Sequence, residues 1–138
     1  MSLITAAELN DKLDSSLWPT VLSVDIQQDT AQFSLHVTSD LSYFSGHFPT
    51  QAVLPGVVQI HWAGELCKLL FDSSGFSELA SVKFNSMILP RQTVDLSLRF
   101  NVDRQSLRFD YVGKSVDGDQ TRDEKFSSGS LVFANEVT

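Results

Sequence analysis

The sequence predicts an α+β fold, a curved antiparallel sheet wrapped around a central helix, and three observations carry that expectation. Residues 56 to 71, from Gly56 to Phe71, are apolar around most of a helical circumference, as in a helix enclosed on several sides. Segments on both sides of that stretch alternate apolar and polar residues at the period of a strand. No strand–helix–strand unit repeats along the chain, which speaks against a parallel sheet. The 138 residues suffice for one domain, spanning 1–138, with a substantial core.

The elements follow in order. Thr5 and Glu8 have capping-box spacing and Ile4 with Leu9 can staple across it, which predicts a helix from Ala6 to about Leu13. Leu22, Val24 and Ile26 alternate with polar residues, as do Ala31, Phe33, Leu35 and Val37, predicting two half-buried strands joined by a turn near Gln28 to Thr30. Periodicity then fails until Pro55, in a stretch punctuated by Gly46, Pro49 and Pro55. On the central helix, His61, Glu65 and Lys68 fall on one stripe and Gln59 points elsewhere. Strands are then expected at Leu79–Ile88, around Val94–Val102, around Leu107–Tyr111 and from about Glu124 to Ala134, with turns at Asp103–Gln105 and Asp117–Asp119.

Composition narrows the function. A net charge of −7 argues against a general nucleic-acid binder; eight of the ten Lys and Arg residues lie from Lys83 onward, either as a local basic patch or, the favoured reading, as solvated positions on outer strand faces. No apolar run approaches the roughly 20 residues of a membrane span, and the first residues lack a secretory pattern, so a cytoplasmic protein without membrane attachment is expected. His36, His47 and His61 lack zinc-motif spacing and Cys67 stands alone, so no metal site is expected.

The candidate chemistry sits at Gly46-His47-Phe48-Pro49 followed by Val53-Leu54-Pro55-Gly56-Val57. With Val82-Lys83-Phe84, Leu89-Pro90 and Ser128 to Ala134, this order resembles the hotdog-fold 3-hydroxyacyl-acyl-carrier-protein dehydratases over most of the chain from about residue 17. The stretch Leu54 to Trp62 is also similar to dehydratase-like proteins of aryl polyene gene clusters, which implies acyl chains with a conjugated or aryl end. The resemblance implies elimination of water from a 3-hydroxyacyl thioester, giving a trans-2-enoyl thioester, with no cofactor. It also implies a homodimer whose sites combine the loop histidine of one protomer with a helix residue of its partner.

Under that resemblance His47 is the general base, a role suited to an imidazole with a pKa of about 6.5; tying the loop together by hydrogen bonds is the competing role. A backbone N–H at or beside Gly56, at the start of the helix, can donate to the thioester oxygen, because the first N–H groups of a helix have no internal acceptor. A purely steric role for that glycine stays open. The family places Glu or Asp five residues beyond this glycine, whereas the chain has His61, which can serve as proton donor to the departing hydroxyl. Glu65, one turn on, can accept a hydrogen bond from His61 and orient it; the two residues satisfying each other at a dimer contact is the alternative. Phe44, Phe48, Pro55, Val57 and Trp62 are candidate acyl contacts, with core packing the competing role for Phe44 and Trp62, and Lys83 and Arg91 are candidate contacts for an acidic acyl carrier protein. Two other functions remain open: a hotdog acyl thioesterase that uses Glu65, and a non-catalytic subunit that binds acyl carrier protein.

Overall fold

A computed structural model of the chain describes residues 4–45, 52–71 and 76–134. Helix α1 spans Ala6–Lys12. Its start is set by the expected reciprocal cap: Thr5 Oγ1 accepts from the Glu8 N–H at 3.2 Å, and Glu8 Oε1 accepts from the Thr5 N–H at 3.3 Å. Leu9 is the residue this helix buries, with Ile4 packed beside the same core.

Strands β1 (Thr20–Ile26) and β2 (Thr30–His36) come next, then the central helix α2 (Gly56–Leu70), and then β3 (Phe76–Phe84), β4 (Thr93–Asn101), β5 (Ser106–Asp117) and β6 (Gln120–Ala134). They form one six-stranded sheet in the order β1-β2-β4-β5-β6-β3. Every neighbouring pair is antiparallel. The β5–β6 hairpin turns at Gly118, whose φ of 64° lies where a side chain is disfavoured. Helix α2 packs across β4 and β5.

The expected inward face of β2 and β4 is buried as the alternation predicts: Ala31, Phe33 and Leu35 on one strand, Val94, Leu96, Leu98 and Phe100 on the other. Strand β1 departs from it. Its register shifts between Val21 and Ser23, a bulge that turns Val21 into the core and leaves Leu22 exposed. Asn10 holds this bend, donating from Nδ2 to the Val21 carbonyl at 2.9 Å and accepting from the Val21 N–H at 2.8 Å. The expected strand Leu79–Ile88 also shifts. Pairing with β6 ends at Phe84, and the chain leaves the sheet as the N–H groups of Asn85 and Ser86 both donate to the Phe126 carbonyl.

Between α2 and the sheet lie Trp62, Ala63, Leu66 and Cys67 against Leu35, Leu96, Leu98, Phe109 and Tyr111, all at most 1% exposed. At about 1.5–3 kcal/mol for each fully buried large apolar side chain, this interface is the main stabilising term and fixes the height and rotation of α2 over the sheet. Everything at the N-terminal end of that helix is positioned by it.

Candidate active site

Pro55 is the N-cap of α2, so Gly56 opens the helix and its N–H, like that of Val57, has no acceptor within the helix. The helix start borders a cavity of about 680 Å³. Its wall combines Val53, Leu54, Phe84, Met87, Leu89 and Phe126 with the polar side chains of Gln59, Asn85, Gln92 and Glu124. A helix N-terminus bordering such a cavity favours negative charge on a ligand oxygen.

Glycine at this point allows a ring to approach the helix closely. The Phe84 ring lies over Gly56, and a Cβ there would fall 2.7 Å from Phe84 Cε1 and nearer still to Cζ. The missing side chain at Gly56 admits the Phe84 ring against the helix start, which is the steric role left open by the sequence.

One turn into the helix, Gln59 is 2% exposed and bound on three sides. Its Oε1 accepts from the Ser127 hydroxyl at 2.6 Å, its Nε2 faces the Leu54 carbonyl at 3.4 Å, and its backbone carbonyl accepts from the Tyr111 hydroxyl at 2.7 Å. Leu54 is itself tied to the middle of the Met87–Leu89 stretch, its N–H donating to the Ile88 carbonyl at 2.8 Å. Burial pushes the Tyr111 phenol well above its ordinary value of 10.0, so it stays a donor throughout the neutral range. Reading polarity along the helix put Gln59 off the polar stripe, which is correct. The pattern gave no sign that it is a hub, because a buried polar residue and an unremarkable exposed one look alike in sequence.

His61, Glu65 and Lys68 lie on the other side of α2. His61 is exposed, its ring centroid 5.8 Å from that of Trp18 with the planes tilted by 44°. The expected hydrogen bond from His61 to Glu65 is not formed among the described residues: the Glu65 carboxylate sits 3.5 Å from the Lys68 ammonium, and the imidazole leans on Trp18 instead. Neither His61 nor Glu65 lines the cavity beside Gly56. His61 is two steps along the helix from Gln59, a rotation of about 200°, so the two side chains point to opposite sides.

Of the expected acyl contacts, Trp62 is corrected. It is fully buried, stacked on Trp18 at 6.1 Å, and its indole N–H donates to the Leu17 carbonyl at 3.0 Å, which makes it a core residue. Phe44 packs against the core from a 3-10 turn at Ser42–Phe44, Pro55 caps the helix, and Val57 is 72% exposed; none of these lines the cavity. His47 and Phe48 lie outside the described residues. Lys83 and Arg91 are exposed and flank the cavity wall in sequence, Lys83 beside Phe84 and Arg91 between Leu89 and Gln92. Arg91 adopts φ 72°, held by its N–H donating to the Val37 carbonyl. Among the described residues no group of His, Cys, Asp and Glu has a geometry that would hold a metal ion, and no helix is long and apolar enough to cross a membrane.

Comparison with known proteins agrees with this architecture. The chain is similar to the dehydratase heterocomplex ApeI:P from Xenorhabdus doucetiae, with a TM-score of 0.70, 30% identity, and coverage of 83% of this chain and 96% of that one. It is similar to an uncharacterized protein from Erwinia carotovora subsp. atroseptica, with a TM-score of 0.66, 33% identity, and coverage of 83% and 94%. Among curated proteins it is 25% identical over 118 residues to the 3-hydroxyacyl-acyl-carrier-protein dehydratase FabZ of Idiomarina loihiensis, covering 74% of this chain and 78% of that protein. The sheet with its central helix is the hotdog fold expected from the motifs. The ApeI dehydratase profile matches residues 23–130, and the chain belongs to the ApeI-like dehydratase family.

Proposed function

We propose that this chain is a single hotdog domain that eliminates water from 3-hydroxyacyl thioesters carried on acyl carrier protein. The observation that carries the reading is Gly56, which opens a buried helix on the wall of a cavity of about 680 Å³. His47 takes the proton from the carbon next to the thioester carbonyl. The electrons of that C–H bond form the new double bond as the C–O bond to the 3-hydroxyl breaks, and His61 supplies the proton with which the hydroxyl leaves as water. Charge that gathers on the thioester oxygen is met by the N–H at Gly56. None of these steps calls for a redox cofactor.

His61 points away from the cavity of its own chain, so the reading needs a second protomer. Strand β3 is an edge of the sheet, with Leu79 and Phe84 about half exposed, and an open edge carrying apolar side chains suits pairing with the β3 of a second copy. In that dimer the His61 of one protomer would serve the His47 and Gly56 of the other, with Glu65 one turn away and Phe44, Phe48, Pro55 and Val57 at the mouth. Lys83 and Arg91 would meet the acidic carrier, offsetting the repulsion between two net-negative proteins. Hydrolysis through Glu65 is not favoured, because that carboxylate pairs with Lys68 outside the cavity and the similar curated proteins are dehydratases.

The test is incubation of the purified protein with 3-hydroxyacyl carrier protein, reading enoyl product by mass. Enoyl product lost in His47→Ala is expected. Turnover unchanged in both His47→Ala and His61→Ala would contradict the mechanism.

A further inference from the structure

We infer that Gln59 is a positioning residue for the reaction: its buried carboxamide braces the first turn of α2 so that the Gly56 N–H is held toward the thioester oxygen. The inference rests on the dehydratase reading and adds to it a residue outside the histidine pair and the helix-start glycine.

The amide orientation is fixed by chemistry. The Leu54 carbonyl can only accept, so the Gln59 nitrogen must face it, and the Ser127 hydroxyl then donates to Oε1. One side chain thereby joins the residue two before Gly56 to strand β6, while Tyr111 on β5 holds the carbonyl of the same residue. Gln59 and Ser127 are 2% and 0% exposed, so water cannot replace these bonds easily. Gln59 also lines the cavity that Gly56 borders, and the Leu54 carbonyl occupies only one of its two N–H donors, at 3.4 Å. Buried positions elsewhere on this helix are filled by apolar side chains such as Val58, Leu66 and Cys67. A polar side chain matched on both ends instead specifies one geometry for the Leu54–Gly56 turn, and oxyanion donors act only when preorganised to within tenths of an ångström.

Gln59→Met keeps the volume but leaves the Ser127 hydroxyl unmatched, so the double variant Gln59→Met/Ser127→Ala, which removes both ends, is tested alongside it. The readout is the infrared carbonyl stretch of a bound, non-eliminating 3-hydroxyacyl thioester analogue, with kcat and KM for the 3-hydroxyacyl carrier protein. In the wild type the band shifts to lower frequency on binding. In both variants binding persists and KM stays within about threefold, but the shift shrinks and kcat falls by about tenfold or more, in line with a weakened oxyanion donor. A full shift and wild-type kcat in the folded double variant would overturn the role of Gln59 and leave the oxyanion reading of Gly56 standing. An unshifted carbonyl in the bound wild type would overturn the oxyanion reading, and this inference with it.

Discussion

The two sides of helix α2 treat polar groups in opposite ways. Toward β5, β6 and the cavity, Gln59 is buried and meets Ser127, Tyr111 and the Leu54 carbonyl, so its environment is built by the fold. On the outer side, His61, Glu65 and Lys68 face solvent in this chain, and the Glu65–Lys68 pair at 3.5 Å is of the exposed i,i+3 kind worth a few tenths of a kcal/mol at most. The inward side is finished within one protomer, whereas the proposed mechanism gives the outward side its role only in a dimer. Inward substitutions should therefore cost stability, and outward ones should cost rate alone.

The largest expected effect is on the outer side. His61→Ala should lower dehydration by about 10²–10⁴-fold, the usual worth of a general acid, while the denaturation midpoint stays at the wild-type value. A matching fall in midpoint and activity would show that His61 is structural and erase the contrast. Next is Trp62→Ala, which removes a fully buried indole stacked on Trp18 and should cost about 3–5 kcal/mol in denaturant unfolding. A cost near zero would mean that the ring is not core.

Ser127→Ala should cost less, about 1–3 kcal/mol, by leaving the buried Gln59 Oε1 without its donor. The smallest effect at neutral pH belongs to Tyr111. Its folded-state pKa is raised by burial, so the folded chain retains a proton that the unfolded chain gives up; the stability this provides is present below the ordinary value of 10.0 and is lost as pH rises through and beyond it. Unfolding followed from pH 7 upward should show that alkaline decline, and Tyr111→Phe should remove the part due to this phenol.

Much of the frame was legible from pattern. The capping box at Thr5 and Glu8, the enclosed helix from Gly56 and the alternation in β2 and β4 each announce themselves through local spacing, because the physics that sets them is local. The bulge at Val21 was not legible, since the bonds from Asn10 that hold it join residues eleven apart. The site divides in the same manner. Gly56 was singled out from motif and helix geometry, and the structure adds its close contact with Phe84. Gln59 was passed over because its partners Tyr111 and Ser127 lie on strands far along the chain, and the two roles of Trp62 stayed open because an aromatic beside a site residue looks the same whether it lines a cavity or fills a core. The expected His61–Glu65 bond followed from i,i+4 spacing alone, and Lys68 and Trp18 compete successfully for the two ends.

The most direct measurement of the central claim is complementation between two inactive variants. His47→Ala and His61→Ala proteins, each without turnover, are mixed under conditions that exchange subunits, and enoyl product from 3-hydroxyacyl carrier protein is measured. If each site takes His47 from one protomer and His61 from its partner, half of the dimers are mixed and each carries one intact site, so about a quarter of wild-type activity should return. No recovery after exchange has been verified by mass would contradict a site shared between protomers.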